Sequence, residues 1–174
     1  AEIYRDARIY PIWEGTNYIQ SMDLVGRKMT MKKGEVFQAW LKHITDSVEL
    51  NKNTTGLEKE YELFSGALKK YREALKLLAG LLATPGMAQL LATRILHATG
   101  KIWAGKLLLE MAVVAQKKIA EIGKDHYDYK FYSGKVASAR FFVKNIMPDI
   151  AAFLEVVKNA DDTVLEVDEG IFFV

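Results

Sequence analysis

The chain has 174 residues, 50% apolar, 26% charged and 11% aromatic, the composition of an ordinary globular domain of about one unit. It holds no cysteine, which excludes a disulfide framework, thiolate zinc sites and a cysteine nucleophile. Twenty-four basic residues against 22 acidic ones leave a net charge of +2, which gives no electrostatic reason to expect nucleic acid or an anionic membrane as partner. The longest strongly apolar run, Leu75 to Ala83, is interrupted by Lys76 and Gly80 and falls well short of the ~20 residues of a transmembrane helix. No segment has the layout of a secretory leader, and a cytoplasmic location is expected. The opening Ala1-Glu2-Ile3-Tyr4-Arg5-Asp6 has no initiator methionine and reads as the middle of an element, so excision from a longer protein is expected.

Residues 1–15, with Pro11 and Gly15, read as irregular. A helix is expected from Thr16, a good N-cap, to about Lys28, with Arg27 and Lys28 complementing the negative end of its dipole. Thr30 to Gly34 is a basic hinge and the expected domain boundary. Beyond it, Val36, Phe37, Trp40, Leu41, Ile44 and Val48 recur at helical spacing up to the turn-forming stretch Asn51–Gly56. Leu57, Tyr61, Phe64, Leu68, Tyr71, Leu75, Leu78 and Leu82 then alternate in steps of four and three, the seam of a helix ~40 Å long.

The partner for that seam is expected next in the chain. Thr84-Pro85 reads as a capped start with proline in the first turn, opening a helix to about Ile122. Within it, Gly100 and Gly105 are expected to permit close helix approach, and Gly123 is a natural stop. After an aromatic loop, His126 to Tyr132, Ser133 caps a last helix that Pro148 interrupts and bends. The segment from Asp161 onward mixes acids with large apolar residues, which leaves disorder and a docked strand-like arm both open. The expected fold is therefore all-α: an antiparallel bundle of four long helices preceded by a loop and a short helix. The expected division is 1–30, 31–160 and 161–174.

One stretch departs from this pattern. From Tyr4 to Gln20, aromatic and charged residues crowd around one proline and one glycine ahead of a helix start. A carboxylate at Glu14 would sit near orphan amides that lower its pKa, unless Ile12 and Trp13 desolvate it and raise it. Gly15 lets backbone approach a ligand, and Thr16 offers a hydroxyl. Read alone, the plainer role is an acid that stabilises a helix N-terminus.

The run Arg5-Asp6-Ala7-Arg8-Ile9, followed by Ile12-Trp13-Glu14-Gly15-Thr16-Asn17 and Ile19-Gln20, resembles the C-terminal end of the acyl-CoA dehydrogenase family. Trp13 stands where tyrosine is common, and Asn17-Tyr18 where serine-glutamine is often found. Asp23-Leu24-Val25-Gly26-Arg27-Lys28 looks like the branch whose members, among them enzymes resembling methylthiopropanoyl-CoA dehydrogenase, carry an extra helical domain. The resemblance implies a parent flavoenzyme that binds FAD, takes an acyl-CoA substrate and passes electrons to an electron-transfer acceptor, as a homo-oligomer. It implies Glu14 as catalytic base for the α-proton, its backbone amide polarising the thioester carbonyl, Gly15 lining the acyl-CoA site and Thr16 contacting FAD. It also implies that this fragment alone is inactive, because the rest of the flavin site lies outside it.

Other features carry less chemistry. His43, His97 and His126 lack ligand spacing, and no metal site is expected. The 126–132 aromatics are expected to pack over the bundle end rather than bind a flat ligand. Lys69-Lys70 and Lys117-Lys118 read as solvated faces, and Arg140 as pairing with an acid or reaching water. The rival reading of the whole chain is a non-catalytic helical interaction or oligomerisation module.

Overall fold

The computed structural model describes residues 2–9 and 16–173, and among them every regular element is helical. Where the sequence predicts an irregular start, a short helix α1 spans Glu2–Ala7, with Glu2 in its first turn and Arg5 in its last. That charge placement suits the helix dipole, and none of its residues is buried. Helix α2, Asn17–Asp23, starts where expected: the Thr16 hydroxyl accepts a hydrogen bond from the Ile19 amide at 3.3 Å. It widens into a π-helical turn, Leu24–Lys28, closed by the Met29 amide donating to the Leu24 carbonyl at 2.8 Å. At the predicted hinge, Lys32, Lys33 and Gly34 take positive φ in succession (50°, 57° and 90°) and turn the chain sharply. Left-handed backbone is costly for a residue with a Cβ, so the two lysines make this an enforced corner rather than a flexible linker.

Five helices follow: α3 (Glu35–Asn51), α4 (Glu58–Leu81), α5 (Met87–Ile122), α6 (Tyr129–Asn145) and α7 (Asp149–Lys158). Their directions follow from paired residues. Phe64 and Tyr71 of α4 meet Gly105 and Thr99 of α5, so those two run antiparallel. His43 and Ser47 of α3 meet Lys106 and Glu110, so α3 runs with α5. Glu60 lies beside Lys144 and Glu73 beside Lys158, so α6 and α7 run with α4. This is the expected up-down-up-down bundle, and α2 lies on the first part of α5, where Ser21 meets Thr93.

The α4 seam is buried as its spacing requires: Leu57, Tyr61, Phe64, Leu68, Tyr71 and Leu78 are in the core, with Leu75 and Leu82 at its edge. It is shared among α5, α6 and α7 rather than given to α5 alone, because α6 and α7 also pack along α4. The tyrosines keep their polar ends differently. The Tyr71 hydroxyl lies 2.7 Å from that of Thr99, whereas the Tyr61 hydroxyl is buried without a partner among the described residues.

Three expectations are corrected. Helix α5 begins at Met87, not at Pro85: the Thr84 carbonyl accepts from the Met87 amide, and Gly86, at φ 88°, precedes the first turn without a side-chain cap. Helix α6 begins at Tyr129, not Ser133, because the aromatic residues can enter the first turn as readily as the loop. Pro148 does more than bend the last helix. The turn before it relaxes, with the Met147 amide reaching back to the Phe142 carbonyl, and the chain restarts as α7. Gly105 does permit close approach, since a Cβ there would lie 2.9 Å from the Phe64 ring and 3.1 Å from the Met147 sulfur; around Gly100 the space is open. The segment after α7 is not a strand. It forms two 3₁₀ turns, Thr163–Glu166 and Glu169–Phe173, with Leu165 seated against Gly86.

Candidate functional site

Of the residues predicted to act, Thr16 is described; Glu14 and Gly15, with Trp13 beside them, lie outside the described residues. Thr16 is exposed and holds the start of α2. Its oxygen accepts from the Ile19 amide, and among the described residues its O–H has no acceptor. Helix α2 is positioned by its inner face: Ser21 and, in the π-helical turn, Val25 are buried, and the Ser21 hydroxyl donates to the Tyr18 carbonyl and lies 3.4 Å from the Thr93 hydroxyl. Its outer face presents Tyr18 and Ile19 to solvent, and α1 adds exposed Ile3 and Tyr4. Helix α2 is thus anchored on the bundle from one side and turns Tyr18 and Ile19 away from it, whereas the residues of α1 are exposed.

A second polar constellation, which sequence reasoning missed, lies between α3 and α5. Lys106 is only 5% exposed, yet its ammonium lies 2.8 Å from Glu110, 3.0 Å from His43 Nε2 and 4.9 Å from the centre of the Trp103 ring. Ser47 donates to the other Glu110 oxygen at 2.6 Å. Burial pushes the Glu110 carboxyl up, but hydrogen bonds from Lys106 and Ser47 and the charges of Lys106 and His43 outweigh it and hold the group below its ordinary range. Burial, with the Glu110 charge adding to it, pushes the Tyr61 phenol up to about 12. His43 Nε2 and the Lys106 ammonium lie within hydrogen-bond distance across the α3–α5 seam. The available signal was a lysine four residues before a glutamate beside an apolar face; its partners on α3 are too distant in sequence to be read. The cluster binds the two helices together and holds no group poised to attack a substrate.

Glu60 is a carboxylate buried more deeply than Glu110, with Lys144 at 3.0 Å and Arg140 at 3.8 Å. Arg140 also donates to the Gly56 carbonyl at 2.7 Å, so it pairs with an acid, as expected, and ties the α3–α4 turn to α6. No group of three or more potential metal ligands occurs among the described residues. Lys69, Lys70, Lys117 and Lys118 are exposed, as expected. The aromatic loop does not close over the bundle end: His126 and Tyr127 stack on each other in solvent, and only Tyr132 packs on the core.

Two grooves stand out. One, of about 460 Å³, is almost wholly apolar and runs between the π-helical turn, α3 and α5, with Trp40 and Trp103 in its wall. The other, of about 540 Å³, lies between α5 and α7 and combines an apolar floor with Arg94, His97 and Lys101. No described helix is long and apolar enough to cross a membrane.

Comparison with known proteins agrees with the resemblance. The profile of the family described as acetyl-CoA dehydrogenase C-terminal like matches residues 40–168. The chain is 42% identical over 173 residues to a butyryl-CoA dehydrogenase of Syntrophomonas wolfei, covering 99% of this chain and 28% of that protein. It is 31% identical to a broad-specificity linear acyl-CoA dehydrogenase of Mycobacterium tuberculosis and 29% identical to a 3-methylmercaptopropionyl-CoA dehydrogenase of Ruegeria pomeroyi, again over 28% of each. The chain thus spans little more than a quarter of the length of these relatives. It belongs to the acetyl-CoA dehydrogenase C-terminal-like family.

Proposed function

We propose that this member of the family is the C-terminal part of an FAD-dependent acyl-CoA dehydrogenase that introduces a double bond between the α- and β-carbons of an acyl-CoA thioester. The observation that carries the reading is the 42% identity across 99% of the chain, which takes in the 4–28 motif as well as the bundle. In this reading residues 1–30 belong to the dehydrogenase core, 31–160 form the appended bundle and 161–174 a separate arm. The left-handed corner at Lys32–Gly34 supports the first boundary. The enzyme is cytoplasmic and a homo-oligomer, and it hands its electrons to an electron-transfer acceptor.

The residues present fit one edge of a flavin site. Thr16 is exposed on an anchored helix start, and its O–H, without an acceptor among the described residues, would donate to an acceptor on FAD. Glu14 takes the α-proton: the Cα–H bond breaks, its electron pair becomes the new π bond, and the β-carbon gives up hydride. Bound FAD supplies the acceptor for that hydride. The Glu14 amide donates to the thioester oxygen and stabilises charge that develops there, while Gly15 leaves room for the acyl chain. Neither Thr16 alone nor the bundle encloses a flavin, so the isolated chain is inactive.

Glu14→Gln in the longer enzyme tests the assignment. The variant is expected to purify with FAD yet lose reduction of that flavin by an acyl-CoA, by at least about 10³-fold in rate. A variant reduced at the normal rate removes Glu14 from the role of base, and a colourless, inert parent removes the dehydrogenase reading itself.

A further inference from the structure

The geometry points to the α5–α7 groove as a docking surface for an acidic, apolar peptide segment, with this chain's own segment Glu166–Phe173 as its occupant. The groove floor is apolar, formed by Leu90 and Ala98 of α5 and Ile150, Phe153 and Val156 of α7. Along its α5 rim run Arg94, His97 and Lys101, at the three- and four-residue steps that put side chains on one helix face. Asp149 is the one carboxylate in the lining, and Lys101 already holds it at 2.5 Å. Among the described residues no carboxylate pairs with Arg94 or His97.

The segment after α7 has the complementary character. Asp161, Asp162, Glu166, Asp168 and Glu169 occur there with no lysine or arginine. Its apolar side chains have no core of their own: Phe172 is 75% exposed and Phe173 84%. Large apolar side chains left in water and an open apolar floor on the same chain are two surfaces whose mutual burial would be favourable.

Attachment and reach decide between occupants. Leu165 sits against Gly86, one helical turn before Leu90, so the segment leaves its anchor at the mouth of the groove. The groove's far end at Lys101 is about 22 Å from Gly86 along α5, at a rise of 1.5 Å per residue. Once the 3₁₀ turn Glu169–Phe173 unwinds, Glu166–Phe173 in extended form reaches about 26 Å, at ~3.3 Å per residue. A tethered segment of matching length has an effective concentration of about millimolar, which a separate chain does not match in dilute solution. The segment therefore closes over its own groove, acids along the α5 rim and Ile171 and Phe172 on the floor. The open arrangement of the structure is the other state of the same strap.

Amide hydrogen exchange across residues 166–173 of this chain tests the proposal. Exchange is expected to be about tenfold slower than in a free segment of the same sequence and unchanged on dilution. Arg94→Glu with His97→Glu, both at exposed positions, is expected to return it to the free rate; adding Glu166→Lys and Glu169→Lys should restore the protection. Free-rate exchange in the original chain overturns the proposal, as does protection indifferent to the Arg94 and His97 changes. Protection that fades on dilution assigns the groove to a second copy and overturns the tethered occupant.

Discussion

The ammonium of Lys106 and the carboxylate of Glu110 are held at 2.8 Å but share their burial unequally, and that inequality decides what each contributes. The Lys106 side chain is 5% exposed and that of Glu110 36%, so the carboxylate can turn to water and the ammonium cannot. Removing Glu110 leaves a buried cation with His43 and the Trp103 ring beside it but no anion; removing Lys106 leaves an anion still hydrogen-bonded by Ser47. Glu110→Gln is therefore expected to cost about 1–3 kcal/mol at neutral pH, below the range for a fully buried pair because the carboxylate is partly solvated. Lys106→Met, which keeps an unbranched apolar stem, is expected to cost less. The Glu110 carboxyl is held below its ordinary 4.5, so its contribution is complete above that value and is lost as pH falls through the lower, folded-state one. In urea melts across acid pH, the stability gap between the original chain and Glu110→Gln should accordingly narrow as pH drops. A gap that stays constant, or a Lys106→Met variant that is the weaker of the two, contradicts this account of the cluster.

Within α5, Gly100 and Gly105 are equally unfavourable as helix formers but meet different neighbours. Each should cost ~1 kcal/mol relative to alanine in an isolated helix. At Gly100 an added Cβ meets open space, so Gly100→Ala is expected to stabilise by about 0.5–1 kcal/mol. At Gly105 it would lie 2.9 Å from a fully buried phenylalanine ring that has nowhere to retreat, so overpacking outweighs propensity and Gly105→Ala is expected to destabilise by about 1–2 kcal/mol. Thermal melts of the two variants should move in opposite directions; a shared sign shows that the α4–α5 contact is softer than its geometry. The same helix shows what a sequence can and cannot carry. The α4 seam is legible because every residue in it answers to one period, and Gly123 because a helix stop is local. The start of α5 is misread at Thr84-Pro85 because a good cap competes there with Gly86, whose left-handed turn is decided by how the loop packs, with Leu165 against it. Lys106 with His43 and Ser47, and Arg140 with Gly56, are invisible in sequence because each pairs residues that only the bundle brings together. For the candidate site, Thr16 is legible as a cap from its neighbours alone, whereas the roles of Glu14 and Gly15 rest on resemblance, because a lone acid before a helix has an ordinary structural use.

At the scale of the molecule, the bundle is joined to the predicted catalytic segment by more than a linker. Ser21 of α2 and Val25 of the π-helical turn are buried, Met22 and Leu24 are partly buried, and the cover comes from elements beyond the Lys32–Gly34 corner, α5 foremost. If residues 1–30 belong to the dehydrogenase core, that core has lent its last helix to the appended bundle, and the two units share one apolar layer. Deleting residues 35–174 from the longer enzyme would expose that layer. Burial of one valine-sized side chain is worth about 1.5–3 kcal/mol, so re-exposing Val25 with parts of Met22 and Leu24 is expected to cost about 3–5 kcal/mol. The truncated enzyme should melt several degrees lower, with weaker retention of FAD, because α2 carries Thr16 at its start and would no longer be held in place. Supplying residues 35–174 as a separate chain should recover part of both losses if the shared layer alone is responsible. A truncated enzyme that keeps its melting temperature, flavin content, turnover and oligomeric state would mean that the bundle is carried by the dehydrogenase without supporting it, and that the burial of α2 serves the bundle alone.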